Sequence, residues 1–332
     1  MGLKEGGVIP YRLAYEAKEF CNQGCGFCFA TFTTPSEVVQ QVRKVSPDVD
    51  IATTLTTDEV KTLLIDPLVA MGGEEFQFTG GDPFLRQDLP ELVEYAVEQG
   101  LRVLVDTNGM IVTQPRNAAL YRRVVPQLYR AGVSLDADNE AMQIEMRGHP
   151  LSFKAPLRFL EMARDLKPTV PQFPMIKVNT LVSGVNYQAV PGMVDVLEPY
   201  IREGIVTRWS LGQFLPMERG AMNVATYQID DQMQEETEER IRRKLEDKGL
   251  PNIVRGYDDK VGFNFIVSPQ GIAYVPSRDE KRFVPRSLRN TSLRDVVASS
   301  DLQTGKQQNA GRYRYRHPQW EVELMSKPPK RS

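Results

Sequence analysis

Cys21-Asn22-Gln23-Gly24-Cys25-Gly26-Phe27-Cys28 places three thiols on one short loop, and the chain has no other cysteine. Thiolates are ligands for zinc and for iron–sulfur clusters, and Gly24 and Gly26 let so tight a loop fold back on one centre. Zinc needs four ligands, and the two histidines, His149 and His317, have no ligand spacing to the cysteines. An ordinary electron-transfer 4Fe–4S site needs four cysteines. Buried structural thiols would scatter over apolar positions and would not gather on a glycine-rich loop. What remains is a 4Fe–4S cluster held by Cys21, Cys25 and Cys28, with one iron open to an exogenous ligand.

Composition limits the setting of that centre. The 332 residues carry 41 Lys and Arg against 43 Asp and Glu, a net charge of −2. This balance argues against a nucleic-acid binder or a binder of anionic membranes. No apolar run approaches the ~18 residues of a bilayer span. Residues 1–10 lack the apolar stretch of a signal peptide, so a cytoplasmic home is expected. Few, odd-numbered and crowded cysteines exclude a disulfide scaffold.

A cluster loop needs a rigid frame. Extended apolar segments near 11–17, 75–79, 102–106, 132–135, 176–182 and 208–215 alternate with helical patterns over 58–71, 89–99, 118–130, 153–166 and 193–202. That alternation predicts βαβ units and a parallel sheet; periodicity alone leaves open whether the sheet closes. Residues 31–57 form a long, lid-like connection. The stretch 229–249 places acids ahead of bases, as a solvated surface helix would. Segments 262–268 and 271–275 flank Pro269-Gln270 as a hairpin, 288–297 reads as a helix, and 306–332 as a basic, aromatic C-terminal arm. The expected organisation is an α/β core over 1–228 and a C-terminal extension over 229–332 that closes it.

CxxxCxxC with Phe27 before the last cysteine resembles the signature of the radical S-adenosylmethionine superfamily. The resemblance spans roughly residues 11–216 and implies a partial (β/α)6 TIM-like barrel. It further implies that S-adenosylmethionine chelates the open iron and, after one-electron reduction, yields methionine and a 5′-deoxyadenosyl radical. An electron donor such as flavodoxin or ferredoxin would supply that electron.

Ligands of α/β barrels sit at the C-terminal strand ends. There Thr79-Gly80-Gly81-Asp82-Pro83 is either a tight βα turn or, by resemblance, a GGEP-like motif with Asp82 in place of Glu, whose backbone binds the methionine amino group. Asp106 and Asn108 share a face after strand three, and Asn108-Gly109 reads as a turn or a site. Ser134 and Asp136 resemble an SxD strand end near the cofactor ribose and methionine. Arg147, in Met146-Arg147-Gly148, resembles a contact to the cofactor carboxylate, against a plain surface arginine. On strand five Lys177 and Asn179 face one way, Ile176 and Val178 the other. Helices should cover the apolar side, so Lys177 and Asn179 point inward, where a lysine needs an anionic partner. Lys177 is read either as a catalytic, substrate-contacting residue or as an ion pair with Asp106 or Asp136. By resemblance Asn179 touches the ribose, Gln213 faces inward, the backbone of Leu215 lies by the adenine, and Phe27 packs against that adenine.

With no cysteine beyond Cys28, auxiliary clusters are excluded, and no N-terminal leader-recognition domain is expected. A small-molecule substrate is therefore favoured: a nucleotide, a sugar or another biosynthetic intermediate. Cys21 to Phe29, Lys177/Asn179 and Arg208-Trp209 are also similar to viperin-like nucleotide (CTP) dehydratases, although Ser210 stands where that pattern has a basic residue. The other readings are a peptide-modifying enzyme and, from a different class, a non-catalytic iron–sulfur scaffold or sensor.

Overall fold

The computed structural model describes residues 12–18, 20–28, 53–114, 117–214, 216, 218–256, 264–276 and 283–298. The expected C-terminal arm and most of the lid-like connection lie outside them, as does Leu215. Ten strands form one sheet in the order β10-β9-β8-β1-β2-β3-β4-β5-β6-β7. They are β1 (Arg12–Glu16), β2 (Glu75–Thr79), β3 (Arg102–Thr107), β4 (Arg130–Ser134), β5 (Met175–Val182), β6 (Val206–Gln213), β7 (Val254–Gly256), β8 (Asn264–Val267), β9 (Ile272–Pro276) and β10 (Phe283–Ser287). Strands β1 to β6 pair in parallel, in sequence order, as a (β/α)6 core. Among the described residues β10 and β7 do not meet, so the barrel stays open.

Five connections join β1 to β6 and carry six helices. The first helix, α1, opens at Thr57–Val60, widens by one turn at Lys61–Ile65 and continues through Asp66–Ala70. Then come α2 (Leu89–Glu98), α3 (Ala118–Val124), α4 (Glu140–Arg147), α5 (Lys154–Leu166) and α6 (Met193–Arg202). The pattern over 118–130 overshoots: α3 ends at Val124, a 3-10 turn at Val125–Gln127 follows, and Arg130 already opens β4. Pro126 cannot donate to a continuing helix, so the chain turns there.

Strand alternation sorts the side chains as expected of a sheet covered on one face. Leu13, Tyr15, Phe76, Phe78, Val103, Val105, Ile176, Val178 and Trp209 are buried against the helices in one apolar core. The alternate residues face the concave side, and the register aligns Asp106, Gly132, Lys177 and Arg208 in one row across four strands.

The C-terminal extension adds to the same core. Its charged helix α7 (Asp231–Asp247) starts on Asp230, which accepts from the Met233 N–H. It buries Thr237, Ile241 and Leu245, while Lys244 and Lys248 pair with Asp195 and Glu198 of α6. Beyond it β7 joins β6 in parallel, β8 joins β1 in parallel, and β8–β9–β10 form an antiparallel meander. Helix α8 (Leu293–Ala298) follows. Arg289 binds Glu59 at the start of α1, fastening the extension to the first helix.

Candidate active site

The C-terminal strand ends surround a cavity of about 280 Å³. Cys21, Cys25 and Cys28 open onto it from the loop after β1, together with Phe27 and Gln23. Thr79, Gly80 and Gly81 line it from β2, Asn108 from β3, Ser134 from β4, and Lys177 and Asn179 from β5. Arg147, at the end of α4, completes the rim.

The cysteine loop is held from both sides. The Gly24 N–H donates to the Arg147 carbonyl (3.2 Å), and the Cys25 thiol contacts that same carbonyl at 3.9 Å. Asn108 Nδ2 donates to Cys21 Sγ at 3.3 Å. From the far side, Asn223 Nδ2 donates to the Gly26 carbonyl (3.0 Å) and the Gly220 N–H to the Cys28 carbonyl (3.3 Å). Tyr227 meets Phe27 edge-on, with ring centroids 5.7 Å apart. These residues come from the segment after β6, two hundred positions away, and no sequence pattern points to them.

The residues present fit a three-cysteine cluster. None of the three cysteines is in a disulfide, and all three line one cavity. Among the described residues no group of three His, Cys, Asp or Glu converges to hold a single metal ion. A cubane does not ask for that, because each thiolate takes a different iron at a different corner. Burial, with the Asp82 charge adding to it, pushes the Cys21 thiol up to about 11, and burial raises Cys25 against the opposing charge of Arg147. Bound iron supplies the positive charge that deprotonates such thiols.

Gly80 and Gly81 let the β2 turn come against the segment leading into the cysteine loop. The Gly81 N–H donates to the Lys18 carbonyl (3.1 Å), and a Cβ at Gly81 would lie 2.0 Å from the Phe20 carbonyl oxygen. Asp82 turns away from the cavity. Its buried carboxylate accepts from the Phe84 N–H (3.0 Å), the Thr107 hydroxyl (2.8 Å) and the Asn108 N–H (2.9 Å), tying the β2 turn to the end of β3. Asp136 also stays outside the cavity lining: one oxygen accepts from Arg147 Nε (2.6 Å) and the other from the Leu181 N–H (2.8 Å). Its work is to hold Arg147, which also reaches Gln23 Oε1 at 3.3 Å. Arg147 is thus a buried, anchored cation and not a surface one. Gln213 does not line the cavity; its amide reaches toward Ile229 and Asp231, beside the start of α7.

The cavity floor is charged. Lys177 Nζ lies 3.3 Å from Asp106 Oδ1, so the internal pair expected as one of two readings is formed, with Lys177 still facing the cavity. Asn179 Nδ2 donates to the same carboxylate oxygen (2.9 Å) and Gln77 Nε2 to the other (2.5 Å). Burial lowers Lys177 to about 8, only partly countered by Asp106. Burial works against the Asp106 carboxylate too, but the charges of Lys177 and Arg130 and the Asn179 hydrogen bond outweigh it and hold the group near about 2. Arg12 and Arg130 also line the floor, the former paired with Glu75. Period-two alternation from the first strand could have found Arg12. Trp209 points the other way, donating to the Thr180 hydroxyl in the core (2.8 Å), while Ser210 faces the cavity.

Comparison with known proteins agrees with this geometry. The radical SAM superfamily model matches residues 15–197. The chain is 29% identical over 245 residues to the Fe-coproporphyrin III synthase of Methanosarcina barkeri, covering 72% of this chain and 53% of that protein. It is 30% identical to an AdoMet-dependent heme synthase of Oleidesulfovibrio alaskensis, covering 66% of this chain and 49% of the relative. The chain thus spans about half the length of these curated relatives. Streptococcus suis SuiB bound to S-adenosylmethionine shares the fold, with a TM-score of 0.61 at 12% identity, over 89% of this chain and 67% of that one. No described helix is long and apolar enough to cross a membrane. The three cysteines on the loop after β1, the open (β/α)6 core and the family match lead to one conclusion: this chain belongs to the radical SAM superfamily, an enzyme family that works with a 4Fe–4S cluster and S-adenosylmethionine.

Proposed function

We propose that this enzyme uses a 4Fe–4S cluster on Cys21, Cys25 and Cys28 to act on a small biosynthetic molecule that carries an anionic group. When bound and reduced, the cluster supplies cleavage of S-adenosylmethionine to methionine and a 5′-deoxyadenosyl radical that takes a hydrogen atom from the substrate. The backbone of Thr79 to Gly81, with Ser134, Asn179 and Arg147, lines the rim where the cofactor would lie, and Phe27 closes one side. Asp82 and Asp136 serve the site indirectly, by fixing Asn108 and Arg147.

The observation that carries the substrate class is the charge on the floor. Four cations, Arg12, Arg130, Arg147 and Lys177, line the cavity with the Asp106 carboxylate, while Glu75 and Asp136, paired with Arg12 and Arg147, stand behind the lining. With the cationic ends turned to the cavity and most of the carboxylates behind them, the lining favours an anionic ligand group over a neutral one. A nucleotide phosphate or a tetrapyrrole carboxylate would meet that requirement, and the curated relatives include nucleotide dehydratases alongside the heme synthases. With Ser210 facing the cavity, the floor lacks the further basic residue of the viperin-like pattern.

Deuterium transfer into 5′-deoxyadenosine, from a panel of labelled nucleotides, porphyrin precursors, sugars and peptides, tests the proposal. Transfer from an anionic small molecule is expected; transfer from neutral peptides alone overturns it. On the substrate so found, Lys177→Gln should raise KM about tenfold, the cost of one charged contact of ~1.4 kcal/mol. The wild-type KM should climb as pH rises through about 8, because Lys177 is cationic below that pH and neutral above it. The Lys177→Gln profile should be flat across the same range.

A further inference from the structure

Asn108 is more than a turn residue. Its amide orientation is fixed from three directions. The side-chain oxygen accepts from the Met110 N–H at 2.9 Å, so the other end of the amide must be the NH2 group. That group donates to Cys21 Sγ at 3.3 Å and to Asn22 Oδ1 at 2.7 Å, one N–H for each. The Asn108 backbone N–H is held by the buried Asp82 carboxylate at 2.9 Å, and the neighbouring Thr107 hydroxyl by the same oxygen at 2.8 Å. Asn108 itself is 6% exposed, so its amide is largely withdrawn from bulk water.

Hydrogen bonds to cluster sulfurs are one of the levers that set reduction potential, because they stabilise the more negative, reduced form. We infer that Asn108 tunes the cluster, donating an N–H···S hydrogen bond to the Cys21 thiolate that makes the cluster easier to reduce. Asp82 acts as its positioning residue. A substitution of Asp for the motif's Glu that looks minor in sequence therefore bears on electron uptake: the carboxylate that anchors the β2 turn also presents the β3 amide to the sulfur. The inference rests on Cys21 being an iron ligand, which the iron content of Cys21→Ala tests separately.

The experiment is a redox titration of the anaerobically reconstituted full chain, followed by the EPR signal of the reduced cluster, for wild type and Asn108→Ala. Both should hold about four irons per chain. Loss of the donor should shift the one-electron reduction equilibrium about tenfold against the reduced state, a fall of ~59 mV in midpoint potential. Asn108→Asp, which keeps the shape but replaces the NH2 by an acceptor, should fall further. A residue serving only to hold the loop would lower iron content without moving the potential of the loaded fraction. Should Asn108→Ala not retain its cluster, Asn108→Ser, which keeps a polar group on a shorter side chain, is titrated in its place. A fully loaded variant with an unchanged midpoint overturns the inference.

Discussion

Cys25→Ala protein is expected to come out of anaerobic reconstitution without a cluster and to release no 5′-deoxyadenosine when reduced with S-adenosylmethionine. Cys25 is the most enclosed of the three thiols, 7% exposed, and lies against the Arg147 carbonyl. The loop offers nothing to replace it: among the described residues no other thiol exists, and the neighbouring Gln23 is a poor ligand for iron. Loss of an outer-shell partner typically costs ~10–100-fold in metal affinity. Loss of a ligand should therefore exceed ~100-fold, with activity falling at least as far. Iron analysis and chromatography of the released nucleoside check both outcomes. A variant that keeps a full complement of iron and wild-type turnover would remove Cys25 from the ligand set. Cys21→Ala and Cys28→Ala should behave alike, since a cluster held by two thiolates is no longer retained.

Gly132→Ala should be nearly as damaging without touching any iron ligand. The register places Gly132 between Asp106 and Lys177 in the row that forms the cavity floor. A Cβ there would lie 1.9 Å from Asp106 Oδ1, 2.7 Å from Asn179 Nδ2 and 3.0 Å from Lys177 Cε. Asn179 and Lys177 are both bonded to Asp106, so the carboxylate cannot yield alone. Overpacking of this kind typically costs about 1–3 kcal/mol in stability. The larger effect should be on function, because the methyl separates Lys177 from Asp106 and moves Asn179 at the rim. Substrate turnover is expected to drop by more than ~100-fold, the scale of misplacing a site group by an ångström, while cluster loading stays intact. Thermal melts, iron counts and turnover of the same preparation separate these effects. Normal turnover in a stable Gly132→Ala protein would show that the floor plays no part in the reaction.

Much of this site can be read from the chain because its frame follows from short-range rules. Alternation along Ile176 to Val182 sends Lys177 and Asn179 inward and Ile176 and Val178 toward the helices, and that is the arrangement found. The cysteine spacing needs no tertiary information at all. What alternation does not settle is the partner of each inward group. Asp82 and Asp136 stand at strand ends where the cofactor is expected, yet their carboxylates are taken up by N–H groups and by Arg147. A buried carboxylate goes to the nearest donors the fold presents, and for Asp82 those lie on β3, twenty-five positions on. The Asn223 and Tyr227 contacts behind the cysteine loop are equally invisible, because they depend on where the chain turns after β6. The end of α3 before Pro126 is of the opposite kind: a local signal, the missing proline N–H, overrides the run of apolar residues around it.

The placement of β7 and β8 has a consequence for the edges of the six-stranded core. A parallel sheet that does not close leaves two rows of backbone N–H and C=O groups ready to pair with another molecule. Here β8 covers β1 from Arg12↔Asn264 to Tyr15↔Val267, and β7 covers β6 from Trp209↔Val254 to Leu211↔Gly256. Both covers come from the same C-terminal stretch. A chain cut after residue 228 would retain every cysteine and every strand of the (β/α)6 core yet expose both rows at once. It is expected to self-associate and precipitate, which size-exclusion chromatography would register as loss of the wild-type peak. The described residues after 228 therefore cover both edges of the catalytic core.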